Sequence, residues 1–322
     1  MTGLQQSDLQ RVRDQLFFEG PDLRRRLTRY WLLLPLSAVI AAAGVVSDST
    51  ATVIGAMIVA PLMTPILGVV LAVVLGDGSN LRRCLLLLLT GAVVVVGLAW
   101  VLGLFIPYPV VAATSSQVAS RISPRLVDLV AALATGAVGS VALARSDISD
   151  TLPGVAIAIS LVPPLAVVGL ALESGALHQA LGSFLLFITN VIAILASGII
   201  VMGIYRIRHT ANQTASRHLL AIGVVGVLLF AVMVPLWTNS QRFGQVSIRL
   251  TGVEAVANQW ASASGWSVLG VSSIDNKVLV DITGESSPPS LAELRKELDA
   301  AGLSNEDIRV QFLAGRFLPV PK

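Results

Sequence analysis

Two pairs of prolines lie in the middle of apolar stretches of this sequence, where their backbone chemistry matters most. Pro61 and Pro65 interrupt one stretch, and Pro163 and Pro164 interrupt another. Proline has no amide hydrogen, and its ring clashes with the carbonyl four residues back, so it breaks a helix and frees backbone polar groups. In the hydrocarbon of a membrane such groups must contact protein or a water-filled cavity. We therefore expect two broken helices whose unpaired main-chain groups hold something polar.

Neutral polar side chains accompany these prolines. Thr64 and Ser160 are close to the two breaks, and Thr90, Thr189 and Asn190 lie in other apolar stretches. One interpretation is that their hydroxyl and amide groups satisfy the broken backbone or bridge helices, as polar residues in membranes commonly do. The other is that they line a permeation or binding site together with the prolines. No charged residue lies near the centre of any apolar stretch, which argues against strong proton coupling and favours a facilitator.

Two aspartates precede the broken stretches at equivalent places. Asp48 comes just before the first stretch, and Asp147 comes shortly before the second. An aspartate at the start of a helix accepts hydrogen bonds from the first free amides and suits the positive end of the helix dipole, so both are predicted to be helix caps. The alternative is that they form a negatively charged entrance for a cation.

The chemistry of an enzyme is missing from the sequence. No motif resembles a Ser/His or Ser/Lys catalytic pair, a zinc site or a phosphate-binding loop. The single cysteine, Cys84, excludes an internal disulfide and a cysteine-rich metal site. We expect a protein that is not an enzyme and that binds no cofactor and no metal.

The stretches that carry these residues are long enough to cross a membrane. The chain is 54% hydrophobic and only 13% charged, which is typical of an α-helical polytopic membrane protein rather than a soluble enzyme. About seven segments approach the ~20 residues that a bilayer requires. They are 30–46, 49–75, 84–106, 126–143, 152–172, 180–204 and 219–236. With the N-terminus inside, arginines concentrate on the inner face, as the positive-inside rule requires.

The two proline-containing stretches are related by a fixed spacing. Gly55 and Gly154 differ by 99 positions, and the same offset aligns Pro65 with Pro164. Each stretch then belongs to a unit of three membrane segments. Because the number of segments in each unit is odd, the second unit enters the membrane from the opposite side. We therefore expect an inverted repeat of three plus three segments, as in many secondary transporters.

The predicted parts of the chain follow from these boundaries. They are a cytoplasmic amphipathic helix at 1–29, a first three-helix repeat at 30–106, an external loop at 107–124, a second repeat at 125–205, a linker and last span at 206–238, and an extracytoplasmic α+β domain at 239–322. The N-terminal helix either lies on the inner membrane surface or packs on a neighbour. Alternating apolar residues after residue 239 predict the order βαββαβ of a ferredoxin-like domain. Its first strand, at Val246–Leu250, could instead continue the last span.

Both broken stretches resemble a known family. Their sequences are IGAMIVAPLMTPILG at 54–68 and LPGVAIAISLVPPLAVVG at 152–169. They are similar to the two signature segments of the bacterial membrane family called domain of unknown function 389, over roughly Tyr30 to Ile204. The resemblance implies a polytopic inner-membrane protein, and it brings no substrate or catalytic residue.

These patterns favour a membrane transporter or channel-like permeation protein for a small solute or ion, with its site at the paired broken helices near the bilayer midplane. The alternative is a structural or signalling membrane protein whose external domain binds a partner. Small residues along the segments permit close packing, so a homo-oligomer in the bacterial cytoplasmic membrane is expected. Topology accounts for the arginines, so no nucleic-acid partner is expected.

Overall fold

Helices built from the apolar segments make up most of the chain. The computed structural model describes residues 6–144, 161–207, 215–274, 277–284, 288–303 and 308–314. The chain divides into two units, Met1–Asn239 and Ser240–Lys322. The helical composition and the membrane-like apolar helices confirm the predicted class.

The first unit is made of helices. Those that the structure describes are α1 (Gln6–Leu16), α2 (Leu23–Val46), α3 (Thr50–Val59), α4 (Met63–Leu75), α5 (Gly78–Gly103), α6 (Ser116–Ala119), α7 (Leu126–Ala144), α8 (Val162–Glu173), α9 (Leu177–Ile207) and α10 (Ala215–Ala263). Within the described chain, α2, α5, α7 and α9 are each long and apolar enough to span a membrane, and the bent pair of α3 and α4 would make a fifth span. The predicted segment 219–236 lies within α10, and residues 152–160 of the second broken stretch lie outside the described residues.

The sequence explains where the first broken helix bends. α3 ends at Val59, and Ala60 is extended with φ of −65° and ψ of 126°, because the residue before a proline is pushed out of the helical conformation. α4 begins at Met63 and is bent 47° from α3. Pro65 lies in the first turn of α4, where backbone amides have no hydrogen-bond partner within the helix. The amide that proline lacks therefore costs the helix no hydrogen bond. The predicted break is present, but this proline stands at the start of a half-helix rather than inside one.

α4 and α8 lie in the middle of the first unit. α4 packs against α1, α5 and α9, whereas α8 packs against α2, α5 and α9. Gly169 of α8 approaches α5 so closely that an added Cβ would lie 2.7 Å from the Cβ of Ala99. The buried core runs through these helices and is almost entirely aliphatic. Packing between helices therefore depends on small residues, as is usual in membranes.

Side-chain hydrogen bonds join the loop after α5 to the turn between α8 and α9. The amide of Val110 donates to the Ser174 hydroxyl at 3.0 Å, and the amide of Ala112 donates to the Gln179 side-chain oxygen at 2.9 Å. The end of α5 and the start of α9 therefore lie at the same end of the helix bundle.

The N-terminal helix lies at the other end, where α5 begins. Val12 and Leu16 of α1 are buried, and α1 packs on α4. The Arg13 guanidinium lies 3.6 Å from the Glu19 carboxylate and 3.8 Å from that of Asp77, the residue that caps α5. α1 therefore packs on a neighbouring helix, which is one of the two placements that its amphipathic sequence predicts.

The second unit contains a three-stranded sheet. Its elements are the end of α10, β1 (Ser267–Ile274), β2 (Lys277–Gly284), α11 (Leu291–Ala300) and β3 (Ile308–Ala314). β1 pairs antiparallel with β2, and β2 pairs parallel with β3. Trp260 of α10, Ile282 of β2 and Leu298 of α11 share one buried core.

The predicted first strand of this unit is wrong. Val246–Leu250 lie within α10, so the described elements run α-β-β-α-β rather than βαββαβ. So short an alternation of apolar residues does not separate a strand from a helix. Extending a helix that already exists also avoids the cost of nucleating a new one. The structure therefore has the alternative prediction, in which this stretch continues the last span.

Candidate functional site

A cavity of about 470 Å³ lies beside the break between α3 and α4. Three parts of the first unit line it: the end of α1 with Phe18, the first turns of α2, and the break itself. Each wall carries polar groups, namely Asp14 from α1, Arg26 and Arg29 from α2, and Thr64 from the break. Asp14 and Arg29 are exposed, so they mark the opening of the cavity.

The early start of α2 brings the two arginines into the wall. Leu23 begins the helix, so Arg26 and Arg29 lie in its first two turns. The Nη1 atom of Arg26 donates a hydrogen bond to the carbonyl of Phe17 at 2.6 Å. This carbonyl follows the end of α1, where the last carbonyls lack helical partners and a cation is favoured. Arg26 therefore stabilises the chain reversal that places α1 beside the break.

Close packing closes the cavity on the side of α5. The hydroxyl of the buried Tyr30 donates to the Leu87 carbonyl at 2.8 Å, and the Tyr30 ring meets Phe18 edge-on with centroids 6.0 Å apart. An added Cβ at Gly91 would collide with the Tyr30 hydroxyl and would lie 3.3 Å from Leu62 at the break. Only glycine fits there, so α5 packs tightly against Tyr30 and Leu62 on this side.

The backbone at the break is partly paired. The amide of Thr64 donates to the carbonyl of Pro61 at 3.3 Å. This carbonyl lies four residues before Pro65, so the prediction of unpaired main-chain groups is wrong for it, because the chain makes a tight turn before α4. Ile58 and Val59, which line the cavity, carry the last carbonyls of α3, and the helix has no further turn to pair with them.

The length of α3 can be compared with the thickness of a membrane. An α-helix rises about 1.5 Å per residue, so the 10 residues of α3 cover about 15 Å. This is half of the hydrocarbon thickness of about 30 Å. α3 is therefore about long enough to cover one half of a bilayer.

The threonines of the long helices do not line the cavity. Thr90 is exposed on α5, and its hydroxyl donates to the Leu86 carbonyl of the same helix at 2.6 Å. Thr189 is buried in α9 and donates to Leu185 at 2.7 Å. Both hydroxyls therefore satisfy backbone within their own helix. Asn190, the next residue along α9, is buried as well.

The second pair of prolines is buried among the residues that the structure describes. Pro163 and Pro164 occupy the first turn of α8, and both are buried. The hydroxyl of Ser183 in α9 donates to the Pro164 carbonyl at 2.9 Å, so this carbonyl is paired inside the protein. The other two predicted members of this site, Ser160 and Asp147, lie outside the described residues.

Asp48 does not cap α3. The Ser49 side chain accepts from the amide of Thr52 at 3.3 Å and provides that cap. Asp48 has a left-handed φ of 51°, which aspartate tolerates, and its carboxylate turns towards the loop after α5. There it accepts from the amide of Gln117 at 3.0 Å and from the hydroxyl of Ser116 at 2.9 Å. These bonds, that from Gln117 first, hold the pKa of the Asp48 carboxyl below its ordinary value.

Sequence reasoning missed the charged residues of the cavity. The sequence predicts the arginines as topology signals, and it predicts residues 1–29 as an amphipathic helix without giving Asp14 a role of its own. A usable signal was present: positions 26, 29 and 33 lie on one face if the first span begins before residue 26. Within the described residues, no cluster of three His, Cys, Asp or Glu side chains could hold a metal ion.

Comparisons with known proteins identify the family. The family described as "Domain of unknown function (DUF389)" matches residues 57–196, which include the break, α4 and most of α9. An uncharacterized protein of Methanocaldococcus jannaschii is 31% identical over 222 residues, which make up 68% of this chain and 68% of that protein. The chain belongs to the DUF389 family. This relative is archaeal, so the comparisons do not confirm the bacterial origin that the resemblance implies. No solved structure matches the chain.

Proposed function

We propose that this DUF389 protein is a permeation protein, through which a small solute or ion crosses the membrane. The observation that carries the proposal is the polar cavity at the break between α3 and α4. Backbone that leaves the helical conformation inside a membrane persists where protein or a cavity satisfies its polar groups. Transporters place their binding sites at such broken helices.

Two reciprocal contacts support a repeat within the membrane unit. Gly169 of α8 lies against Ala99 of α5, and Gly198 of α9 lies against Val70 of α4. With the repeat offset of 99 positions, Gly198 is equivalent to Ala99, and Gly169 is equivalent to Val70. The same pair of equivalent positions is therefore in contact twice, once in each direction between the halves. Two copies related by a two-fold axis would make such a pair of contacts.

The ends of the bundle favour an inverted rather than a parallel repeat. α5 and α9 are the third helices of the two halves. α5 begins next to α1, where Arg13 lies 3.8 Å from Asp77. α9 begins at the opposite end, where Gln179 accepts from Ala112 in the loop after α5. Equivalent helices that start at opposite ends run in opposite directions, which is the arrangement of inverted-repeat transporters.

The positive-inside rule orients this arrangement. Arginines 24–26 and Arg29 gather at the start of α2, the end where α1 lies. We propose that this end faces the cytoplasm, that the N-terminus is inside, and that the second unit lies outside. The cavity would then open towards the cytoplasm, and the protein would act as a facilitator, since the described spans carry no central acidic pair for proton coupling.

Filling the cavity tests the proposal. Thr64→Trp places an indole in the space beside the break, whereas Thr90→Trp places one on the exposed surface of α5. Purified protein is reconstituted into liposomes, and the uptake of small neutral, anionic and cationic solutes is followed by osmotic light scattering. We expect flux of at least one class, lost in Thr64→Trp and retained in Thr90→Trp.

Two results would overturn the proposal: no flux of any solute, or equal flux in both variants. The first result would favour the alternative function, in which the second unit binds a partner and the membrane helices anchor and assemble it. Crosslinking through residues 240–322 would then be the appropriate measurement.

A further inference from the structure

The cavity beside the break carries more positive than negative charge, and we infer that the solute it admits is a small anion. This inference rests on the proposed function and names its substrate class. Among the lining residues, Arg26 and Arg29 each carry a positive charge at neutral pH and Asp14 carries a negative one, which leaves one net positive charge.

Both guanidinium groups have donors to offer. The Nη1 atom of Arg26 donates to the Phe17 carbonyl. A guanidinium has five N–H donors in all, so others remain for a ligand. Arg29 is exposed at the cavity opening, and it has no hydrogen bond or ion pair with any residue that the structure describes. A planar guanidinium binds carboxylates and oxyanions through paired hydrogen bonds, so these side chains suit an anion better than a neutral solute.

The dipoles of the broken helix do not change the sign of the net charge at the cavity. The last carbonyls of α3 are equivalent to about half a negative charge, and the first amides of α4 to about half a positive charge. Both helix ends meet at the break, so the two partial charges nearly cancel and the side chains decide. The Thr64 hydroxyl is an additional donor for an anion that reaches the break.

A cation would be less favoured in the same space. Asp14 and the carbonyls of Ile58 and Val59 are the groups that could attract it. It would have to pass two guanidinium groups and would be attracted by one carboxylate, so the net charge of the side chains opposes it. The net positive charge of the side chains at this opening therefore favours anions over cations.

The test measures selectivity in the full-length protein. Liposomes of phosphatidylcholine and phosphatidylglycerol are given gradients of potassium chloride, nitrate or formate, with sodium and potassium flux and glycerol uptake measured alongside. We expect anion flux to exceed cation flux, and we expect Arg29→Gln to lower the ratio of anion to glycerol flux several-fold. Arg25→Gln is the matched control, because Arg25 is exposed on the same helix and does not line the cavity. Asp14→Asn should raise the preference for anions over cations.

A binding measurement separates this inference from the proposed function. Thermal unfolding in maltoside micelles free of phospholipid is followed as nitrate, formate or inorganic phosphate is added at constant ionic strength. We expect a rise in Tm for wild type and Arg25→Gln, and a smaller rise for Arg29→Gln.

The outcomes are distinct. If glycerol or cations pass and anions do not, or if both arginine variants lose anion flux equally, the anion inference fails while the permeation proposal stands. If no solute passes, the permeation proposal fails, and an anion-dependent rise in Tm that Arg29→Gln reduces would still support an anion site. If Tm does not respond either, or rises only when phospholipid is added, both the free-anion site and the permeation proposal fail.

Discussion

The two half-helices that begin with prolines are both buried along most of their length, but they differ in what lies beside their first turn. α4 starts beside a cavity with charged and hydroxyl groups in its walls. α8 starts in the protein core: every residue from Val162 to Ala171 is buried, the Pro164 carbonyl accepts from Ser183, and Gly169 touches α5. Among the described residues, the same local signal therefore accompanies a polar cavity in one half and buried packing in the other. A proline determines where a helix starts, whereas the neighbouring helices determine whether water or a solute reaches that point.

The largest effect is expected from filling the contact between α8 and α5. Gly169→Ala would push a methyl group into the backbone of α5, 2.8 Å from the amide nitrogen of Trp100. We expect a loss of about 2–3 kcal/mol, since overpacking in a tight core costs about 1–3 kcal/mol or more. Thermal unfolding in detergent, followed by circular dichroism, measures it.

Gly55→Ala in α3 is the control for that substitution. No atom lies within 4 Å of the added methyl group, and alanine favours a helix by about 0.8–1 kcal/mol over glycine. We expect unchanged or increased stability. Equal losses in the two variants would mean that α8 is no more tightly packed than α3.

Replacing the prolines should affect the two halves unequally. Pro61→Ala with Pro65→Ala lets α3 continue into α4 and closes the bend that forms the cavity wall, so flux should fall several-fold. Pro163→Ala with Pro164→Ala changes positions in the first helical turn, where proline is tolerated but not required. Its flux should stay near that of wild type. Liposome uptake compares them, and a larger loss from the second pair would reverse the roles assigned to the two half-helices.

A smaller effect is expected from single hydroxyl groups. Ser183→Ala leaves the buried carbonyl of Pro164 without its donor, at a cost of about 1 kcal/mol. Thr64→Ala should cost less than about 0.5 kcal/mol, because water in the cavity can replace its hydroxyl. Chemical denaturation in mixed micelles would measure both. A greater cost at Thr64 would contradict the polar character of the first break.

The smallest effect concerns pH at the start of the first broken helix. Hydrogen bonds from Gln117 and Ser116 lower the pKa of Asp48 in the folded protein. A lowered pKa stabilises the fold above the unfolded-state pKa of about 4, and this contribution is lost as pH falls through the folded value. Wild type should therefore have a slightly higher Tm than Asp48→Asn at pH 7, and the difference should be lost as pH falls through the lowered pKa of Asp48 in the folded protein. A difference that persists in acid would show that charge is not its cause.

Much of the architecture could be predicted from single stretches of sequence. Hydropathy placed the spans of α2, α5, α7 and α9, and Pro61 placed the break after α3. The failures have two causes, one in the adjacent chain and one in a partner that is distant in sequence. The strand predicted at Val246–Leu250 became part of α10 because an adjacent helix extended through it. Asp48 was expected to cap its own helix, and it bonds to Gln117 in a loop that the local sequence does not reveal.

The sequence by itself determined the membrane class and the position of the first break, because hydrophobicity and the missing amide of proline are properties of the local chain. Only the tertiary structure decided that this break opens on a charged cavity. Asp14, Arg29 and Thr64 come together because Arg26 bonds to Phe17 at the reversal after α1, which brings α1 and α2 alongside the bend. A cavity is formed by what several helices leave unfilled, and no single stretch of sequence contains that information.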